Sequence, residues 1–158
     1  MKRLAIFFTS TIIIVQFLAS CNNATYDHYV QIDDGKWDKN HAAKFVVPIE
    51  DTLTFYKVFL NVRNDARYPY RNVYFFMDLI DPSGKVQRDT IDIDIADQHG
   101  KWLGSGLGEI KHNRILLSPS VHLSQKGNYT FLIEQAMRKD TLVGLRDIGI
   151  RIEKNKTN

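Results

Sequence analysis
A period of two in hydrophobicity runs through most of this chain, and it limits the fold more than any other feature. Ile91, Ile93 and Ile95 alternate with Thr90, Asp92 and Asp94. Ile148, Ile150 and Ile152 alternate with Asp147, Gly149, Arg151 and Glu153. Tyr129, Phe131, Ile133, Gln135 and Met137 follow the same spacing, blurred by Leu132 and Ala136. Successive side chains of a strand point to opposite faces, so each run places one set in a core and the other in solvent. Leu53 to Val62 and Val73 to Ile80 are apolar on both faces, as central strands are. Phe45 to Ile49 and Ile115 to Leu117 are shorter candidates.

Turn signals separate these runs: Asn64-Asp65, Asp81-Pro82-Ser83-Gly84, His99-Gly100, Ser118-Pro119 and Lys126-Gly127-Asn128. No long helical period appears after the first twenty residues. Seven or more strands joined by short turns predict an all-β chain, an antiparallel β-sandwich of jelly-roll-like or immunoglobulin-like form.

The amino terminus has a different grammar. Lys2 and Arg3 precede an apolar run, Leu4 to Leu18, interrupted by Thr9, Ser10, Thr11 and Gln16. The run is too short and too broken for a spanning helix, which needs ~20 apolar residues. It fits the central part of a secretory signal. It ends in Leu18-Ala19-Ser20-Cys21, the pattern of a bacterial lipobox, and Cys21 is the one cysteine of the sequence. Cleavage between Ser20 and Cys21 would leave a lipid-bearing Cys21 as the first mature residue. The sequence therefore divides into a signal peptide at 1–20, a lipidated tether at 21–31 and a sandwich domain at 32–158. Two or three acyl chains hold a protein on a membrane without crossing it. With no second cysteine, no intramolecular disulfide is available and the fold rests on its core.

The formal net charge of the whole sequence is +3, and loss of Lys2 and Arg3 removes two of those charges. No dense basic run points to nucleic acid. Asp92, Asp94, Asp97 and His99 bring carboxylates to one strand face. Calcium, however, takes six to eight oxygens on a curved loop, so a solvated strand face is the expected role and no metal site is assigned. Gly104-Ser105-Gly106-Leu107-Gly108 superficially resembles a phosphate loop. Such loops lead into a helix whose N-terminus holds the anion, and no helical pattern follows. The five histidines lack metal-ligand spacing, there is no GxSxG elbow, and Cys21 is committed to lipid. No catalytic residue and no cofactor is predicted. Trp37, Tyr68, Tyr70 and Trp102 fall in predicted loops, where they are candidates for partner or glycan contact or for plugging the ends of the sandwich.

The chain resembles the gliding motility lipoprotein GldH family of Bacteroidota. The similar stretches are Tyr68-Pro69-Tyr70-Arg71-Asn72, Asp89-Thr90, Ala96-Asp97, Gly100 to Gly108, Gly127 to Phe131, Gln135 to Arg138 and Leu142 to Glu153. The resemblance implies a non-enzymatic lipoprotein that supports gliding and the type IX secretion system tied to it. Other envelope proteins of that machinery would be its partners. It supplies no catalytic or ligand-binding residues. Asp51-Thr52-Leu53, Asp89-Thr90-Ile91 and Asp140-Thr141-Leu142 also resemble the O-glycosylation motif of exported proteins in that phylum. Asn22 follows Cys21, so the familiar inner-membrane retention signal is absent, which favours the outer membrane and its periplasmic face. The alternative reading is a module that binds glycan or peptidoglycan.

Overall fold
The computed structural model describes residues 24–155. Residues 1–20, expected as a signal peptide and including Ser20, and Cys21 lie outside the described residues. Among the described residues ten strands follow in order: β1 (Ala24–Gln31), β2 (Lys36–Asp38), β3 (Ala43–Ile49), β4 (Phe55–Asn64), β5 (Asn72–Ile80), β6 (Val86–Asp94), β7 (Lys111–His122), β8 (Gly127–Gln135), β9 (Thr141–Val143) and β10 (Leu145–Lys154). A 3-10 turn, Asp33–Gly35, joins β1 to β2.

The long strands form two four-stranded sheets, β1-β10-β4-β7 and β3-β8-β5-β6, and β2 pairs with β9 as a short ribbon. All the strand pairs in these sheets are antiparallel. Set aside β2 and β9, and the eight remaining strands cross between the sheets at every step except the β5–β6 hairpin, in the order of a double Greek key. That is a jelly roll, which decides between the two sandwiches expected.

The alternation places the core where it was read. Ile148, Ile150, Ile152, Ile133, Val73 and Phe75 are fully buried. Ile93 and Ile95 are buried as well, whereas Ile91 is half-buried near the edge of its sheet. The two runs apolar on both faces became β4 and β5, each with a neighbour on either side. Leu53 is left outside β4 and exposed, because Asp51 takes its N–H at 3.1 Å and the Thr54 hydroxyl at 2.8 Å, closing a turn there. Pro48 and Pro119 lie in β3 and β7, both edge strands, where a missing N–H disturbs no ladder.

One boundary needs correction. Residues 24–31, expected as part of a tether at 21–31, form β1 and pair with β10 from Ala24 to Gln31. Asn22-Asn23-Ala24-Thr25 reads as spacer because it is small and polar, but His28 and Val30 lie opposite Ile150 and Ile148, and an edge strand tolerates such a polar sequence. The folded domain therefore begins by residue 24, and not at 32.

The registers sort the loops into two ends. Ala24 lies opposite Glu153, Glu153 opposite Lys57, and Phe55 opposite His122. The chain thus enters at the same end as the turns at 50–54, 81–85 and 123–126. The far end carries the segments 32–42, 65–71, 95–110 and 136–144.

Candidate functional site: the loop end remote from Ala24
Three of the far-end segments are locked together by the buried Asp65. Its carboxylate accepts from Arg67 Nε at 3.0 Å and Nη2 at 2.9 Å, and lies 3.3 Å from Arg146 Nε. Its amide donates to the Gly144 carbonyl, and Arg67 reaches on to the Asp34 carbonyl. Burial opposes the charge on Asp65, but the Arg67 bonds and the Arg146 charge prevail and hold the carboxyl below its usual range. The arrangement makes a rigid mount.

The four aromatics singled out from sequence divide on this mount. Trp37 is buried, its ring centroid 5.8 Å from that of Phe75, with Nε1 donating to the His41 carbonyl at 2.6 Å. Tyr68 is buried too, its hydroxyl donating to the Asn72 carbonyl at 2.7 Å. That burial pushes its phenol well above the ordinary tyrosine range. These two rings plug the end of the sandwich, so neither can act as an exposed contact and the four do not form one platform. Tyr70 and Trp102 stay half-buried. They share a shallow groove of about 320 Å³ with Arg71, Asp97 and Gln98.

Beyond Trp102 the glycine loop folds back on β7. Ser105 and His112 exchange backbone bonds of 3.0 and 2.7 Å, and Lys111 Nζ donates to the Gly106 carbonyl at 3.0 Å. A strand follows this loop, so the helix N-terminus that a phosphate loop feeds is not there. What the loop presents is apolar: Leu107 is fully exposed, Leu103 59% and Ile110 43% exposed. Backbone shape accounts for the glycines. Gly106 has φ +138° and a Cβ there would come within 2.6 Å of the Ile110 carbonyl oxygen, while Gly108 has φ +88° with open space around it. Gly108→Ala should therefore cost about 1 kcal/mol, the strain of the left-handed backbone alone. Gly106→Ala should cost distinctly more. Urea melts of the two variants check the order, and equal midpoints would contradict it.

The acidic residues are spent locally. Asp92 accepts from Asn72 Nδ2 at 2.9 Å, Asp94 lies 3.4 Å from Arg71 Nε, and Asp97 caps its own turn through the amides of His99 and Lys101. Among the described residues no group of three or more His, Asp or Glu is placed to hold a metal ion. Of the three Asp-Thr motifs, Thr90 and Thr141 are exposed and Thr52 is half-buried.

Sequence reasoning missed a polar cluster on the outer face of the first sheet. Tyr29 lies across Gly149, where a Cβ would meet its ring at 2.7 Å. Its hydroxyl is 3.1 Å from His112 Nε2, and the Arg63 guanidinium stands 4.4 Å from its ring centre. Beneath them Asn61 is fully buried and accepts from Arg114 Nε at 3.1 Å. Burial, then the charges of Arg63 and Arg114, hold the His112 imidazole below its ordinary value. The one available signal was Gly149 itself, a residue without a side chain in the middle of an isoleucine strand.

With this geometry in hand, comparison with known proteins is direct. Residues 24–152 match the family model described as GldH lipoprotein. The chain is 34% identical over 149 residues to a "Gliding motility lipoprotein GldH homolog" of Christiangramia forsetii, covering 90% of this chain and 91% of that protein. It is 30% identical over 144 residues to the "Gliding motility lipoprotein GldH" of Flavobacterium johnsoniae, covering 86% and 89%. A solved structure described as "Crystal structure of infectious bursal disease virus VP2 subviral particle" superposes on 85% of this chain and 34% of its own, at 14% identity and a TM-score of 0.37. On the match across the whole folded domain, the chain belongs to the GldH lipoprotein family.

Proposed function
We propose that this protein is a non-enzymatic lipoprotein of the gliding apparatus, fixed to the membrane through lipid on Cys21. In this reading it docks onto other envelope proteins of the gliding and type IX secretion machinery with its far loop end. The names of the two relatives support the cellular role. The observation that carries the docking role is the exposure of Leu103, Leu107 and Ile110 on a hydrogen-bonded loop opposite the end where the chain enters. Exposed aliphatic side chains on a rigid element are what a partner's pocket desolvates at little cost in ordering. The periplasmic face of the outer membrane is the proposed location. The glycan alternative loses most of its support with Trp37 and Tyr68 in the core, and retains only the Tyr70–Trp102 groove.

The test places a photocrosslinking residue at position 107 in cells and compares parent, Leu107→Asp and Cys21→Ala proteins. Crosslinks to envelope proteins and normal spreading are expected for the parent. Leu107→Asp should lose at least tenfold of docking to those proteins while melting like the parent, because that side chain contributes nothing to the core. Cys21→Ala should leave the membrane fraction. Leu107→Asp cells that spread normally with their envelope contacts intact would contradict the docking role. Retention of Cys21→Ala on membranes after a salt wash would contradict the anchor. Polysaccharide capture abolished by Trp102→Ala would favour the glycan reading instead.

A further inference from the structure
The two edges of the sandwich differ. On one side the edge strands β1 and β3 are joined at the far end by the segment that carries β2, and a hollow of about 340 Å³ lies along that segment. On the other side β6 and β7 are both edge strands, and a cleft of about 560 Å³ opens between them. Its walls are aliphatic and thioether side chains that belong to the core but are not sealed into it: Met77, Leu79, Ile91, Ile115, Leu117 and Val121. Val58 and Phe131 form part of the floor. The polar groups Gln87, Asp89, Thr90, Asp92 and Ser118 are also present in the lining, which contains no tryptophan or tyrosine. Volume and chemistry match a small-molecule site for an apolar ligand, and the lining offers a sugar ring no indole or phenol to stack on.

The edges themselves are guarded against an added strand. Gln87 and Asp89 lie opposite Leu79 and Met77, on the inward row of β6. β7 carries two register shifts against β4 and contains Pro119. Inward polar residues, bulges and proline are the devices that stop a peptide from pairing with a sheet edge. A flexible hydrocarbon needs no backbone bonds and is indifferent to them.

The cleft continues toward the end where the chain enters. A smaller hollow of about 180 Å³ shares Leu79, Gln87, Val121 and Leu123 with it and reaches Asp81, Lys85 and His122. Lys85 has no salt-bridge partner among the described residues. Ala24 enters at that end, leaving only Asn22 and Asn23 between the folded domain and Cys21. Cys21 to Ala24 is three residue steps, at most ~11 Å when extended, so a lipid on Cys21 would hold this mouth at the bilayer surface.

We propose that the β6–β7 cleft takes up one acyl chain of a membrane phospholipid, tail between the sheets and phosphate at Lys85. The site rests on anchoring near Ala24 and is independent of docking at the far end.

Full-length protein in phosphatidylethanolamine vesicles, doped with a phospholipid bearing a diazirine midway along one acyl chain, provides the test. On irradiation, crosslinks should map to peptides containing Ile91 and Leu117. Leu117→Trp, which fills the cleft, should cut that labelling at least tenfold without lowering the melting temperature; should it overpack, Ile91→Phe is read in the same way. Lys85→Glu should reduce labelling by an anionic phospholipid severalfold. Labelling confined to the turns at 50–54 and 81–85, or unchanged in both filled variants, overturns the proposal. So does protection of β6 amides from hydrogen exchange by an extended apolar peptide without displacement by lipid, since the occupant would then be a strand.

Discussion
Replacing Ile150 by Asp should leave no folded domain. Ile150 is fully buried in β10, between His28 of β1 and Leu60 of β4. A carboxylate there must either remain charged in an apolar interior or bind a proton at neutral pH, and either costs several kcal/mol. A domain of this size has about 5–15 kcal/mol in all. With β10 central to its sheet, the loss cannot be confined to a frayed edge. The variant should show no cooperative thermal transition by circular dichroism. Asp92→Asn is the matched control: its side chain lies on the exposed face of β6, and its melting point should move by less than about 0.5 kcal/mol of stability allows. Similar melting curves for the two would mean that the strand faces are assigned wrongly.

The second large effect is expected at Gly144, between β9 and β10. Its φ is +92°, and a Cβ would lie 2.2 Å from the backbone nitrogen of Tyr68 and 2.6 Å from its Cα. Neither side can retreat. Gly144 donates to the Gly35 carbonyl at 2.8 Å and accepts from the Asp65 amide at 2.9 Å, while Tyr68 is buried and bonded to Asn72. Gly144→Ala thus combines left-handed strain with a backbone collision, and about 3–4 kcal/mol is expected, near the top of the range for one substitution. The melting temperature should fall by roughly 10 °C. The proposed docking at the far end should weaken as well, since Gly144 joins the segments that mount it. A fall no larger than that of Gly108→Ala would mean the 65–71 segment can move aside freely.

Gly144 also shows where reading the sequence reaches its limit. The strands and their buried faces were legible because alternation is local: Ile148, Ile150 and Ile152 announce their face whatever they pair with. β1 was not legible, since Ala24-Thr25-Tyr26-Asp27 is an edge sequence whose partner lies more than a hundred residues away. The short ribbon of β2 and β9 has three residues a side and no period to detect. At the candidate site, Trp37 and Trp102 look alike in sequence. Only the register of Trp37 against Leu142 turns one into core while the other stays half-buried. The glycine run at 104–108 stood out by density, yet the glycine most tightly enclosed is the solitary Gly144. Its need comes from Tyr68, which is distant in sequence.

The pairing of β1 with β10 has a mechanical side. Under the proposed anchor on Cys21 the load would reach the folded domain at β1, whose bonds to β10 lie across the strand direction from Ala24 to Gln31. A pull between the membrane and the far loops would then act along β1 and stretch that ladder as a whole, in shear. Peeling, which breaks such bonds one after another, would require a pull from the side. Forced unfolding is governed by the height of that barrier, so under that anchor the domain would be gripped here in its stronger direction.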